Sequence, residues 1–447
     1  MAGTTRQIPF TADQERWYAA AWERFNLDRL KTLLIELVNI HSPTGAEREA
    51  AEFLASYLKA HLGGRAVYQP VSDLTGNCFG EVRGATGATG ARLMLYAPLD
   101  THLDADPETD VPWVGSALRP DMVPRASVEG DFIIGLGASN PKSMVATLTE
   151  VATALYESGI PLIGALQPAF AGGGMSVNSP RRRHYGLGDG VYHLISRGVG
   201  PDFAIIMKPI WAVYSEEPGL CWFRISVRGT LAYAGSPRTV VGDRSSILPA
   251  AVLIPEIDQW IREYTARNAA NTLSPEGKIT ALRAGWPDRF AYSSATTEIY
   301  VDVRCTPAMT LGEVNAQFSA GMETIRRRHP EVEFDWEMIA ALPGGATDPD
   351  NWIIQSCRRG WECVEARPHG DPPRMGGRTD GSLIRRLGIP TARIGFPWPA
   401  ANTPEPYTQG MGGMGVACLP DLVTCAKAIM YAVIDTLSRT RTELGLR

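Results

Sequence analysis

Lys208 closes the apolar run Phe203-Ala204-Ile205-Ile206-Met207 and stands directly before Pro209, where a buried or half-buried ammonium needs a partner. An ionisable group in such a place favours a functional role over a structural one. A second cluster is the loop Asp100-Thr101-His102-Leu103-Asp104-Ala105-Asp106, which mixes carboxylates with an imidazole. These donors suit acid–base work by Asp100 or His102, or a metal site confined to that loop. Asn140 precedes Pro141, the pattern of a helix N-cap with proline at the first helical position. Other signals are weaker. The sequence contains no Gly-x-Ser-x-Gly elbow, and Gly135-Leu136-Gly137 lacks the third glycine of a dinucleotide motif. The run Arg181-Arg182-Arg183-His184 reads first as a solvated loop, and only second as an anion-attracting patch.

The elements that must position these residues are legible in the periodicity. Residues 27–40 place Leu30, Leu33, Leu34, Leu37 and Val38 on one helical face. The turn Ser42-Pro43-Thr44-Gly45 stops that helix, and Thr44 with Glu47 predicts a capping box opening the next. Apolar runs at 91–100, 162–171 and 202–208 read as strands, with a helix over 142–159 ending at the Gly159 cap. This alternation predicts an α/β fold with a mainly parallel sheet flanked by helices. From residue 218 the pattern changes to half-buried strands (219–229, 296–305) and amphipathic helices (246–268, 312–329). An inserted α+β domain over 218–342 follows, dividing the catalytic domain into 1–217 and 343–447, with residues 1–26 as an added helical arm.

Composition narrows the function classes. At 447 residues and 44% hydrophobic, the chain can bury more than one core. A net charge of −5 gives no nucleic-acid footprint, and no apolar run reaches membrane-spanning length. The start shows no secretory signal pattern. The 7 cysteines are scattered without a C-x-x-C pair, so a disulfide framework and a cysteine zinc site are both unsupported. A cytoplasmic protein with a small-molecule substrate, no nucleic acid and no membrane is expected.

Read in order, several segments resemble the M20 family of zinc-dependent amidohydrolases and peptidases: SPTGAE (42–47), LMLYAPLD (93–100), GLGASNPKSM (135–144), QPAFAGGGMS (167–176), PDFAIIMKP (201–209), GTLAYAGSP (229–237), GGRTDGSLIRRLGIPTARIGFP (376–397) and ANTPEPY (401–407). The resemblance implies a catalytic domain with an inserted lid or dimerisation domain, a homodimer through that insert, and cleavage of a C–N bond. It also implies where two metal ions would be held, and there this sequence departs. The first histidine ligand falls on Pro98, although the aspartate two residues on is kept as Asp100. The bridging aspartate falls on Asn140, the glutamate pair within Gly172-Gly173-Gly174, the next carboxylate on Lys208 and the last histidine on Asn402. The lid histidine becomes Tyr233. Zinc needs imidazole, thiolate or carboxylate donors, and an ammonium repels a cation, so no metal or other cofactor is expected at these positions.

The resemblance then implies a rewired site. Lys208 would stabilise a developing oxyanion, with Asp100 as base or lysine partner and His102 as the alternative base. Asn140, Tyr233 and Asn402 would orient the substrate, with Arg378 of the retained Gly-Gly-Arg-Thr-Asp segment. The leading expectation is a metal-independent hydrolase of a non-peptide amide or cyclic amide. Two others stay open at this point: a catalytically silent binding or regulatory protein, and a metallohydrolase whose metal site has shifted to residues 100–106.

Overall fold

The computed structural model describes residues 4–84, 89–177, 179, 182–184, 186–237, 245–408 and 414–447. Arg181, part of the basic run singled out above, lies outside them. The chain forms two units: Met1–Ser215, Thr347–Pro372 and Thr379–Arg447 make the first, and Glu216–Ala346 with Pro373–Arg378 make the second.

The first unit is built on a mixed sheet. Its centre is parallel, in the order Ala165–Ala171, Arg92–Pro98, Phe203–Met207, Thr391–Ile394. Antiparallel strands finish both edges, with Gly76–Gly80 and Ala66–Pro70 on one side and Val213–Tyr214 on the other. Alternate residues of Arg92–Pro98 serve opposite faces. Leu93, Leu95 and Ala97 enter one core, and Met94 and Tyr96 the other. Burial on both faces explains why the run reads as continuously apolar. The larger face is covered by Leu27–Asn39, Ser143–Ser158, Trp352–Glu365 and Leu419–Leu437, and the smaller by Asp189–Ser196 and Gly381–Arg386. Pro168, inside a central strand, lacks the N–H a neighbour needs. It faces the break between Gly76–Gly80 and Val82–Arg83, both of which pair with its strand.

The N-terminal arm is a helix, Ala12–Arg24, with a true capping box from Thr11 and Gln14. It packs on Ser143–Ser158 and Leu419–Leu437. Phe10 stacks on Tyr431 at 4.0 Å, and Gln14 Nε2 donates to Ser438 Oγ at 2.8 Å. The arm is thus part of the first core.

The second unit is an antiparallel sheet in the order Gly277–Ala284, Thr296–Cys305, Gly219–Arg228, Phe334–Leu342. Helices Ile247–Asn268 and Leu311–Arg328 cover one face, closing a core that includes Phe223, Ile225, Val301, Leu253 and Phe318. The segment 373–378 belongs here because Met375 exchanges backbone bonds with Thr272 and Ser274, at 3.1 and 3.0 Å. Two sequence expectations change. The helix Arg48–His61 has Glu47 at its N-cap with no side-chain cap bond, so the Thr44–Glu47 capping box does not form. Both side chains are drawn off to tertiary partners described below. Asn140 has φ −136° and ψ 111°, outside the helical region, and the long helix begins at Ser143. Asn140 is therefore no N-cap.

Candidate active site

Register brings three loops to one edge of the first unit. Pro98 pairs with Ala171, and Tyr96 with Ile206, so Pro98–Asp100, Gly172–Gly174 and Lys208 all leave the carboxyl ends of neighbouring parallel strands. Such strand ends are where open α/β sheets bind ligands. Lys208 is buried; its N–H donates to Ile394 O at 3.0 Å, continuing the strand, and its ammonium donates to Asn140 Oδ1 at 3.0 Å. Asn140 Nδ2 in turn lies 2.9 Å from Met414 Sδ. Two residues that the resemblance aligns with metal-ligand positions are thus joined by a charge-assisted hydrogen bond. Lys142, just past the Asn140–Pro141 cis peptide, is a second buried ammonium. It donates to the carbonyls of Leu37 and Ile40 at the end of helix Leu27–Asn39. Burial lowers its pKa to about 7.

The glycine loop is held from behind. Four successive N–H groups each meet a side-chain acceptor: Gly172 to Asn77 Oδ1 (3.2 Å), Gly173 to Glu47 Oε1 (2.9 Å), Gly174 to Asp100 Oδ1 and Met175 to Asp100 Oδ2 (2.8 Å each). Thr44 Oγ1 adds a third bond to Asp100, at 2.7 Å. Asp100 is fully buried, and both its oxygens are engaged. The structure therefore places the expected base as an anchor of the loop. Beyond it, Asp380 Oδ2 accepts the Tyr96 hydroxyl at 2.6 Å. Gly174 must be glycine, since a Cβ there would stand 2.6 Å from Asp380 Oδ2 and 2.5 Å from Pro98 Cβ.

The other expected residues are scattered. His102 is half-buried, its ring edge-on to Trp113 at 6.1 Å, and Nδ1 has no partner among the described residues. Burial lowers its pKa to about 4 against the opposing charge of Asp121, so the ring is neutral near pH 7. Asn402 is exposed in a turn at φ 60°, a left-handed position that asparagine tolerates. Tyr233 and Arg378 belong to the second unit; Tyr233 is exposed and packs edge-on against Tyr292. The structure thus brings together Lys208 and Asn140, and separately Asp100 with the glycine loop.

Glu47 is the residue that sequence reasoning passed over. It is fully buried, its Oε1 also accepts from Gly45 N at 2.8 Å, and its pKa is raised to about 8 by burial and by the charge of Asp100. The turn Ser42–Glu47 was visible in the sequence, but a local cap accounted for its glutamate there.

A two-zinc centre does not fit these strand ends. Pro98 and the glycines offer no side-chain donor, Asn140 is neutral, and Lys208 brings a positive charge. A shifted site over 100–106 fares no better. Asp100 is committed to the loop, Asp104 Oδ1 accepts from Arg182 Nη2 at 2.6 Å, and Asp106 caps the helix Pro107–Val114. Among the described residues, no group of three or more His, Cys, Asp or Glu is placed to hold a metal ion. No described helix is long and apolar enough to cross a membrane.

No family model matches the chain. A curated relative, "Probable carboxypeptidase" of Aspergillus terreus, is 25% identical over 381 residues, covering 78% of this chain and 76% of its own. Human carnosine dipeptidase 1 superposes with a TM-score of 0.70 at 14% identity, over 96% of this chain and 100% of that one. An M20 family metallo-carboxypeptidase from Sulfolobus solfataricus gives a TM-score of 0.64 at 14% identity, over 92% and 99%.

Proposed function

We propose that this chain, which has the M20 peptidase fold, is a hydrolase of a C–N bond in a small non-peptide amide or cyclic amide, and that it works without a di-zinc centre. The observation that carries this reading is the Lys208–Asn140 pair at 3.0 Å, standing at the carboxyl ends of the parallel strands. An ammonium held by a neutral amide, in a site screened from water, can bind a substrate carbonyl and stabilise the oxyanion that forms on attack. Asn140 fixes the ammonium through Oδ1, and its Nδ2, which lies against Met414 Sδ, has a second hydrogen to offer a substrate carbonyl. Of the two bases considered, His102 is the one whose ring nitrogen Nδ1 lacks a partner among the described residues. Its lowered pKa keeps it able to accept a proton at neutral pH, at some cost in basicity. Tyr233, Arg378 and Asn402 are not used.

The test is a panel of linear amides, N-carbamoyl compounds and cyclic amides, offered to wild type and Lys208→Met in the presence of a chelator. Turnover by wild type and none by the variant supports the reading; equal turnover by both sinks it. A second reading is favoured by the glycine loop, which carries no side chain where a base would stand: a silent binding protein. It predicts ligand binding with no turnover anywhere in the panel.

The same proposal includes a homodimer through the inserted unit. Trp286 and Phe290 are 61% and 90% exposed there, with the exposed Tyr292 two residues past Phe290 and bridged to the exposed Tyr233. Exposed apolar groups of this size call for a partner surface.

A further inference from the structure

Among the acceptors that hold the Gly172–Met175 loop, Glu47 has an oxygen to spare. Its Oε1 takes the N–H groups of Gly45 and Gly173, while Oε2 has no partner among the described residues. That oxygen points at the loop, since a Cβ on Gly172 would stand 2.8 Å from it. Thr75, the other wall of the same spot, also has a buried hydroxyl with no partner among the described residues. Asp100 holds the next two N–H groups of the loop and adds its charge to the same enclosed space. Two carboxylates cannot both stay ionised there. Burial and the charge of Asp100 raise the Glu47 pKa to about 8, so Glu47 is the group that holds a proton at neutral pH, while three donors spread over both oxygens fix Asp100 in place.

We propose that Glu47 is a positioning residue that works as a neutral acid, and that loss of its proton unlocks the Gly172–Met175 loop. Once both groups are charged, one must turn toward water, and either movement removes an acceptor from a loop N–H. The remaining ionisable neighbours do not supply a compensating partner to Oε2. His184 lies against Gly45 and Gly173, with Nδ1 accepting from Gly186 N; Arg182 is spent on Thr44 O and Asp104; Asp380 lies beyond Gly174; Arg48 pairs outward with Glu52. The inference rests on the strand ends being the site only for its effect on turnover; the unlocking itself does not depend on that reading.

Hydrogen exchange at the amides of residues 172–175 tests it, on the full chain with intrinsic exchange rates factored out. Opening that needs one proton lost should weaken protection about tenfold per pH unit as pH rises from the ordinary carboxyl value of 4.5 toward the Glu47 midpoint at about 8, and level off above it. Glu47→Gln keeps the Oε1 acceptor and cannot ionise, so its protection should stay flat over the same range. Flat protection in wild type, or the same fall in the variant, would overturn the proposal. Should the variant fold poorly, infrared spectroscopy of wild type replaces it. A protonated buried carboxyl band must be present at neutral pH and vanish with the same midpoint, and its absence at neutral pH overturns the proposal. Loss of protection without any turnover would leave the switch standing and remove only the hydrolase reading.

Discussion

Asp100→Asn separates an anchor from a base. In the structure Asp100 Oδ2 accepts from Thr44 Oγ1 and Met175 N, and Oδ1 accepts from Gly174 N, at 2.7 to 2.8 Å. The asparagine best keeps its oxygen toward the two donors and turns its NH2 toward Gly174. That leaves one buried N–H facing another donor, which costs about 1–3 kcal/mol. The two surviving bonds lose their charge assistance, worth about 1 kcal/mol each. Removing the charge beside Glu47 returns part of this, because Asp100 is a named cause of its raised pKa. A net loss of about 3 kcal/mol is expected, read from urea denaturation at neutral pH as a lowered midpoint with an unchanged slope. A variant that unfolds within about 1 kcal/mol of wild type but has lost turnover would refute the reasoning and return Asp100 to the role of base.

Three further outcomes are expected. Arg359 Nη2 and Nε donate to Asp435 Oδ2 with both side chains buried, and Arg439 still pairs with Asp435 Oδ1, so Arg359→Met should destabilise by about 2–3 kcal/mol in the same denaturation experiment. Lys142 has its folded pKa lowered to about 7 from 10.5, so the cost of its burial is full below pH 7 and is relieved as pH rises toward 10.5. Wild-type stability should therefore carry a rising component across that window that Lys142→Met lacks; matching profiles would contradict the assignment. Phe290→Asp should convert a dimer to a monomer in light scattering after gel filtration, and a wild type that is already monomeric would dismiss the interface.

Much of the fold was legible because local pattern and tertiary role agree. The strand read over 296–305 is Thr296–Cys305, and the helix read over 142–159 is Ser143–Ser158, closed by Gly159 at φ 62°. Alternation and glycine stops are local signals, and in these two elements nothing overrides them. The mixed character of the sheet was less visible, because an antiparallel edge strand as short as Val213–Tyr214 leaves little periodicity. Site residues failed where a side chain chose a distant partner over a near one. Glu47 reads as a cap three residues from Thr44, yet it reaches Gly173, while Thr44 reaches Asp100. Asn140 before Pro141 reads as a cap, yet its oxygen meets Lys208 across 68 residues of sequence separation. Lys208 stood out in the sequence because an ammonium ending an apolar strand has no local explanation. The segment 373–378 joined the insert through backbone bonds to residues 272–274, which no side-chain pattern announces.

The central claim is amide hydrolysis supported by Lys208 in place of metals. Its most direct measurement is turnover of the amide panel by chelator-treated wild type beside the same protein with added zinc and beside Lys208→Met. The account predicts undiminished turnover after chelation, no gain from zinc, and none in the variant. Activity lost on chelation and restored by zinc would contradict it.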